Sequence, residues 1–255
     1  MSGNKIDKSD IYLIIAVIIV VVIQNIPSIR FIMYPFNLLA TWIHEMSHGL
    51  TAEIFGGNFK KLVINSDTSG YALYAYNPMT TGTMAKAVIA SAGYMGTALF
   101  GALMLYFRKK DTFVRVFSVL LGVFMLVSLI IYIRSFIGAM FALPFSALLI
   151  FIGIKANAEV NRFLYSLLAS EIALNTILDI NVLFSVGSKT GGVAGAPLLQ
   201  SDAAKVADLL FFPYWFWAGL WLLLSVLMFL FAFFKPLKGK KEVSNNNNDN
   251  QESYA

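Results

Sequence analysis

The sequence predicts an all-α polytopic membrane protein of six to seven transmembrane helices, with a small β-hairpin between the second and third. Three observations carry that prediction. Of the 255 residues, 58% are hydrophobic and only 13% are charged, about half the charge of an average soluble domain. Several apolar runs approach or exceed the roughly 20 residues that a helix needs to cross about 30 Å of hydrocarbon. Basic residues stand at the ends of those runs, as in Arg108-Lys109-Lys110 and in Lys235, Lys238, Lys240 and Lys241, where they anchor helices at the membrane interface. Lipid offers backbone groups no partners, and a helix satisfies its own.

The same placement removes the net charge of +5 as a sign of nucleic-acid binding. The chain has no cysteine, so neither a disulfide framework nor a thiolate metal ligand is available. Its start resembles a secretory signal, with lysines before an apolar run. Gln24-Asn25-Ile26-Pro27 stands where a small-x-small cleavage site would fall, so an uncleaved first span over 10–26 is expected. Further spans are expected at 31–55, 80–107, 112–133, 136–154, 163–185 and 212–234. Pro144 interrupts the fifth. As a re-entrant segment it would leave six spans with both ends cytoplasmic, whereas seven would separate the ends.

Between the second and third spans, Leu62 and Ile64 alternate with Val63 and Asn65. Asp67-Thr68-Ser69-Gly70 then supplies turn chemistry before Tyr71–Tyr76, so residues 58–78 read as strand, turn and strand. On the third span, Gly93, Thr97 and Gly101 recur every fourth residue, as do Ala92 and Gly96. One helix face is therefore nearly free of side chains, and another backbone is expected to press against it. Residues 238–255 form a polar, low-complexity tail expected to be disordered, leaving 1–237 as the membrane domain. No internal repeat supports an inverted-repeat transporter.

The second span holds the chemistry. His44, Glu45 and His48 spell H-E-x-x-H, and these two histidines are the only ones in the chain. Four residues advance a helix by about 400°, so the imidazoles lie on one face one turn apart. Two imidazoles at that spacing can share a Zn²⁺, with the intervening glutamate as general base toward water. An apolar helix is a costly place for such groups, at about 2.5–3.5 kcal/mol for a central ionised residue, and metal binding explains why they are there. Catalytic zinc usually takes three protein ligands, so a carboxylate or amide must complete the set. Glu171, Asn175 and Asp179 form a polar stripe on the sixth span at i, i+4 and i+8. Asp179 is the preferred ligand, with Glu171 and Asp202 in reserve. Capping of a helix by Ser201 or Asp202 would account for Asp202 equally well.

At these residues the chain resembles the site-two protease family of intramembrane zinc metalloproteases, closest to a compact bacterial branch without PDZ or CBS domains. The likeness runs through 44–57, 67–72, 91–101, 174–180 and 200–221. It implies Zn²⁺ on His44, His48 and Asp179, with Glu45 activating water. It also implies a multi-pass protein of the bacterial cytoplasmic (inner) membrane, with the motif toward the cytoplasmic side. Such a protein would hydrolyse a peptide bond in or near a transmembrane segment of a membrane-protein substrate, within the lipid bilayer and without nucleic acid. No peptide-binding module is appended, so substrate selection is expected to rest on the bundle, its loops or a regulatory membrane partner.

One departure matters. Many members carry the aspartate in Leu-Asp-Gly after an asparagine and a proline. Here Ile180 follows Asp179, and no proline separates Asn175 from Asp179. That departure supports the alternative of a catalytically impaired scaffold or regulator that retains the metal site. A zinc transporter would need several polar helices forming a path, whereas polarity here concentrates in two spans. A zincin of the type that trims prenylated proteins uses a glutamate as third ligand and would shift the weight to Glu171.

Overall fold

The computed structural model describes residues 7–186, 189–190 and 199–237; the tail expected at 238–255 lies outside them. The first helix, α1 (Lys8–Asn25), is capped by Asp7, whose carboxylate accepts from the Ser9 N–H at 3.0 Å. A 3-10 turn (Arg30–Met33) leads into α2 (Tyr34–Ile54). This helix stops at Gly56, whose φ of +77° is the left-handed conformation that ends many helices on glycine. Strands β1 (Asn58–Ile64) and β2 (Gly70–Ala75) then pair antiparallel, from Asn58 opposite Ala75 to Ile64 opposite Gly70. Their turn is locked by Asp67, which accepts from the Ser69 N–H at 3.0 Å and the Ser69 hydroxyl at 2.6 Å. The hairpin read in the sequence is therefore present.

Four long helices follow: α3 (Thr83–Phe107), α4 (Asp111–Ile131), α5 (Phe136–Lys155) and α6 (Ala158–Val186). A two-residue pairing joins β3 (Lys189–Thr190) to β4 (Leu199–Gln200). The short α7 (Asp202–Leu209) and the final α8 (Tyr214–Phe234) complete the described chain. Helices α3 and α6 are the central ones, each 56% buried over its apolar window against 22% for α1 and 28% for α8.

Among the described residues, six helices are long and apolar enough to cross a membrane: α1, α3, α4, α5, α6 and α8. The fifth run is thus long and apolar enough to span despite Pro144, and α2 is the apolar run that is not among the six. The side-chain pairing explains this. The start of α1 meets the end of α3, since Arg108 donates to Asp10 at 2.8 Å and Ser9 donates to the Arg108 carbonyl at 3.4 Å. Arg108 also donates to the Ala232 and Phe233 carbonyls at the end of α8, both at 3.1 Å. Lys8 pairs with Glu159 at 2.7 Å, and Arg162 pairs with Asp111, which adds the starts of α6 and α4 to the same membrane face. The end of α1 and the start of α3 accordingly share the opposite face. The intervening α2 and hairpin leave that face and return to it, with no net crossing.

α2 is held inside the bundle rather than against lipid, which is why it tolerates polar residues. Trp42 is 1% exposed, and its indole N–H donates to Ser128 on α4 at 2.9 Å, a buried bond worth about 1 kcal/mol net. The outer edge of β1 is occupied as well: the Leu62 N–H donates to the Tyr132 carbonyl at 2.8 Å, and the Arg134 N–H donates to the Leu62 carbonyl at 2.9 Å. β2 lies on the other side of the hairpin, where Gly70, Tyr71, Ala72 and Tyr74 line a cavity.

Candidate metal centre

That cavity has a volume of 420 Å³, and its walls include Thr41, His44, Glu45 and His48 of α2, Asn175 and Asp179 of α6, and Asp202 and Lys205 of α7. The helical spacing aims both imidazoles the same way, and their Nε2 atoms lie 3.1 Å apart. His48 is 4% exposed; its Nδ1 lies 2.7 Å from the Ile89 carbonyl. A proton on Nδ1 satisfies that carbonyl and leaves the Nε2 lone pair for a ligand, the usual second-sphere arrangement of a metal-binding histidine. Tyr94 of α3 packs edge-on against His44 with ring centres 4.7 Å apart and fixes the second ring.

The carboxylate that meets the two rings is Asp202. Its Oδ2 lies 3.1 Å from His44 Nε2 and 3.0 Å from His48 Nε2. Ser201 caps α7 by accepting from the Ala204 N–H at 3.2 Å, which sets Asp202 as the first residue of the helix. Its other oxygen, Oδ1, accepts from Lys205 Nζ at 2.8 Å. Burial acts to raise the Asp202 carboxyl, but the charges of His48 and Lys205 and the imidazole hydrogen bonds outweigh it and hold this acid well below the usual carboxylate range. Burial likewise disfavours charge on Lys205, and the facing Asp202 carboxylate more than reverses that, so the ammonium is held above its ordinary range.

Among the described residues, His44, His48 and Asp202 are the group whose ligand atoms converge closely enough to share an ion. Once both imidazoles have given up the Nε2 proton, two ring nitrogens and a carboxylate oxygen are a donor set of catalytic zinc sites. The backbone opposite supports the fit. A Cβ built on Gly93 would stand 2.3 Å from His44 Nε2 and 2.4 Å from His48 Nε2, so α3 can pass the two nitrogens only as glycine. The small face of the third span accommodates this close approach.

The carboxylate that the structure brings to the two imidazoles is not the one preferred from the sequence. Asp179 lines the cavity but does not join the convergent group. The Asp202 carboxylate, held in reserve, meets the imidazoles because α7 packs on α3 and α8 with its first turn toward them. Glu171 is committed elsewhere: Gln24 donates to its two oxygens at 3.0 and 3.2 Å, and Asn175 donates to it at 2.8 Å. Asn175 also reaches Asn37 at 3.0 Å. The polar stripe of α6 thus divides, one end tying α1 and α2 to α6 and the other facing the cavity.

Fold and centre together define a multi-pass membrane protein of the intramembrane metalloprotease class. The chain belongs to the peptidase M50B-like family, whose model matches residues 12–232, and thereby to the site-two protease group anticipated from its motifs. Neither a curated protein nor a solved structure matches it.

Proposed function

We propose that the protein is a zinc-dependent endopeptidase that hydrolyses a peptide bond in or near a transmembrane segment of a membrane-protein substrate. The observation that carries this reading is the convergence of His44, His48 and Asp202 at one edge of a cavity whose wall also holds Glu45. Those three residues would hold the ion. Bound there, zinc supplies Lewis-acid polarisation of the scissile carbonyl.

Glu45 is the base. It removes a proton from the attacking water as oxygen adds to the carbonyl carbon, and delivers it to the departing amine nitrogen as the C–N bond breaks. β2 positions the substrate. Its first residue, Gly70, packs so closely on the catalytic helix that an added Cβ would stand 2.8 Å from Thr41 Cγ2 and 3.2 Å from Glu45 Cγ. A substrate helix must unwind to expose a peptide bond, and an extended segment added alongside β2 would regain backbone partners. The test compares membrane-protein fragments in native membranes carrying wild type or Glu45→Gln. Fragments that depend on Glu45 support the reading; an unchanged fragment pattern rejects it.

Charge supports an orientation. Arg108, Lys109, Lys110, Arg115, Lys155 and Arg162 crowd the short connections of one face, and Lys238, Lys240 and Lys241 follow α8 in sequence. Basic residues near span ends favour the cytoplasm. The catalytic cavity is walled by the hairpin turn and α7, which connect helix ends of the other face. On this reading both outer spans begin or end in the cytoplasm, as an inside N-terminus requires, while the cavity opens toward the far side, opposite to the side on which the family resemblance put the motif.

A further inference from the structure

We propose that Lys205 is a positioning residue of the metal centre, holding the Asp202 carboxylate so that Oδ2 alone is presented to the ion. The inference rests on the reading of the centre given above. Lys205 follows Asp202 by three residues on α7, a spacing that places both side chains on one helix face. The two oxygens of Asp202 are divided between different partners: Oδ1 takes the ammonium at 2.8 Å, and Oδ2 stands 3.1 and 3.0 Å from the two imidazole nitrogens. A carboxylate without that hold can rotate about its Cβ–Cγ bond and exchange its oxygens or turn both toward the ion.

Two further observations separate this contact from an ordinary surface ion pair. The Asp202 side chain is 11% exposed, so solvent does little to screen or replace its partners. Lys205 also stands among the residues that wall the cavity, so its ammonium borders the centre even though its side chain is 43% exposed. An ammonium beside a ligand has a second, opposed effect, since it draws charge from the carboxylate and weakens it as a donor. If orientation dominates, removing Lys205 lowers metal affinity; if charge withdrawal dominates, removing it raises affinity. Orientation is expected to win, because the imidazoles are already fixed by Ile89 and Tyr94 and the carboxylate has no comparable restraint in the contacts described.

The experiment titrates purified, chelator-stripped protein in detergent with Co²⁺, read by its visible absorption, and repeats this for Lys205→Met, Lys205→Arg, Lys205→Gln and Asp202→Ala. Outer-sphere partners of metal ligands are typically worth about 10–100-fold in affinity. Lys205→Met and Lys205→Gln should therefore weaken Co²⁺ binding by about that factor and change the absorption band shape, and Lys205→Arg should restore most of the affinity. Wild-type-like affinity and spectrum in Lys205→Met, or tighter binding, overturns the positioning role while leaving the centre intact. Failure of wild type to bind Co²⁺, or undiminished binding by Asp202→Ala, overturns the proposed centre and this role together.

Discussion

Gly93 of α3 lies directly against His44 of α2: a methyl group on its backbone would sit 2.3 Å from the imidazole Nε2. Nonbonded carbon and nitrogen do not approach so closely, and the obstruction is a ring fixed on its other faces. The glycine therefore sets the distance between the two helices at the metal centre. Gly93→Ala is expected to reduce bound metal and cleavage by more than tenfold while the protein still accumulates in membranes. Gly82→Ala, where an added Cβ meets nothing within 4 Å, is the control and should leave both unchanged. Metal analysis of the two purified variants checks this.

Glu45 separates chemistry from structure. Replacing it with glutamine keeps its volume and removes the base, and general-base groups contribute about 10²–10⁴-fold. Cleavage of a validated substrate should fall by that factor with metal content unchanged. A variant that lost its metal as well would show that Glu45 acts on the centre's assembly rather than on water.

Much of this architecture was legible in the residues. The H-E-x-x-H spacing placed the imidazoles on one face, the turn residues Asp67–Gly70 placed the hairpin, and the glycines of α3 foretold a close neighbour. Two features were not legible, for physical reasons. Asp179 stands out as a charge in an apolar helix, whereas Asp202 begins a short polar helix where a capping role explains it. Only the packing of α7 against α3 and α8, which brings its first turn to the imidazoles, distinguishes them. The span count was ambiguous because α2 is apolar for reasons of packing, with Trp42 buried against α4, and hydrophobicity alone does not separate lipid contact from protein contact. Pro144 drew attention to the fifth run, yet α5 continues as a helix through it.

Arg108 should be a determinant of stability rather than of activity. It is 3% exposed and joins α1, α3 and α8 through Asp10 and three backbone carbonyls. Removing one partner of a buried ion pair costs about 3–5 kcal/mol, and the 30% exposure of the Asp10 side chain puts this case at the lower end. Arg108→Met should lower the thermal unfolding temperature in detergent, and adding Asp10→Asn should not recover the loss, because Asp10 keeps Lys109 at 2.6 Å. Metal content of the folded fraction should not change.

Orientation is directly measurable because the chain has no cysteine. Ser66→Cys introduces one thiol at the exposed hairpin turn, and Thr112→Cys introduces one at the start of α4 on the basic face. In intact cells a membrane-impermeant maleimide should label the first variant and label the second only after permeabilisation. The reverse pattern would place the cavity on the cytoplasmic side.

The ligand set itself is the central claim, and metal stoichiometry tests it most directly. Zinc bound per chain should be measured on purified wild type, His44→Ala, Asp202→Ala and Asp179→Ala. The account predicts about one zinc per chain in wild type and Asp179→Ala, with little or none in His44→Ala and Asp202→Ala. Metal retained by Asp202→Ala and lost from Asp179→Ala would contradict it.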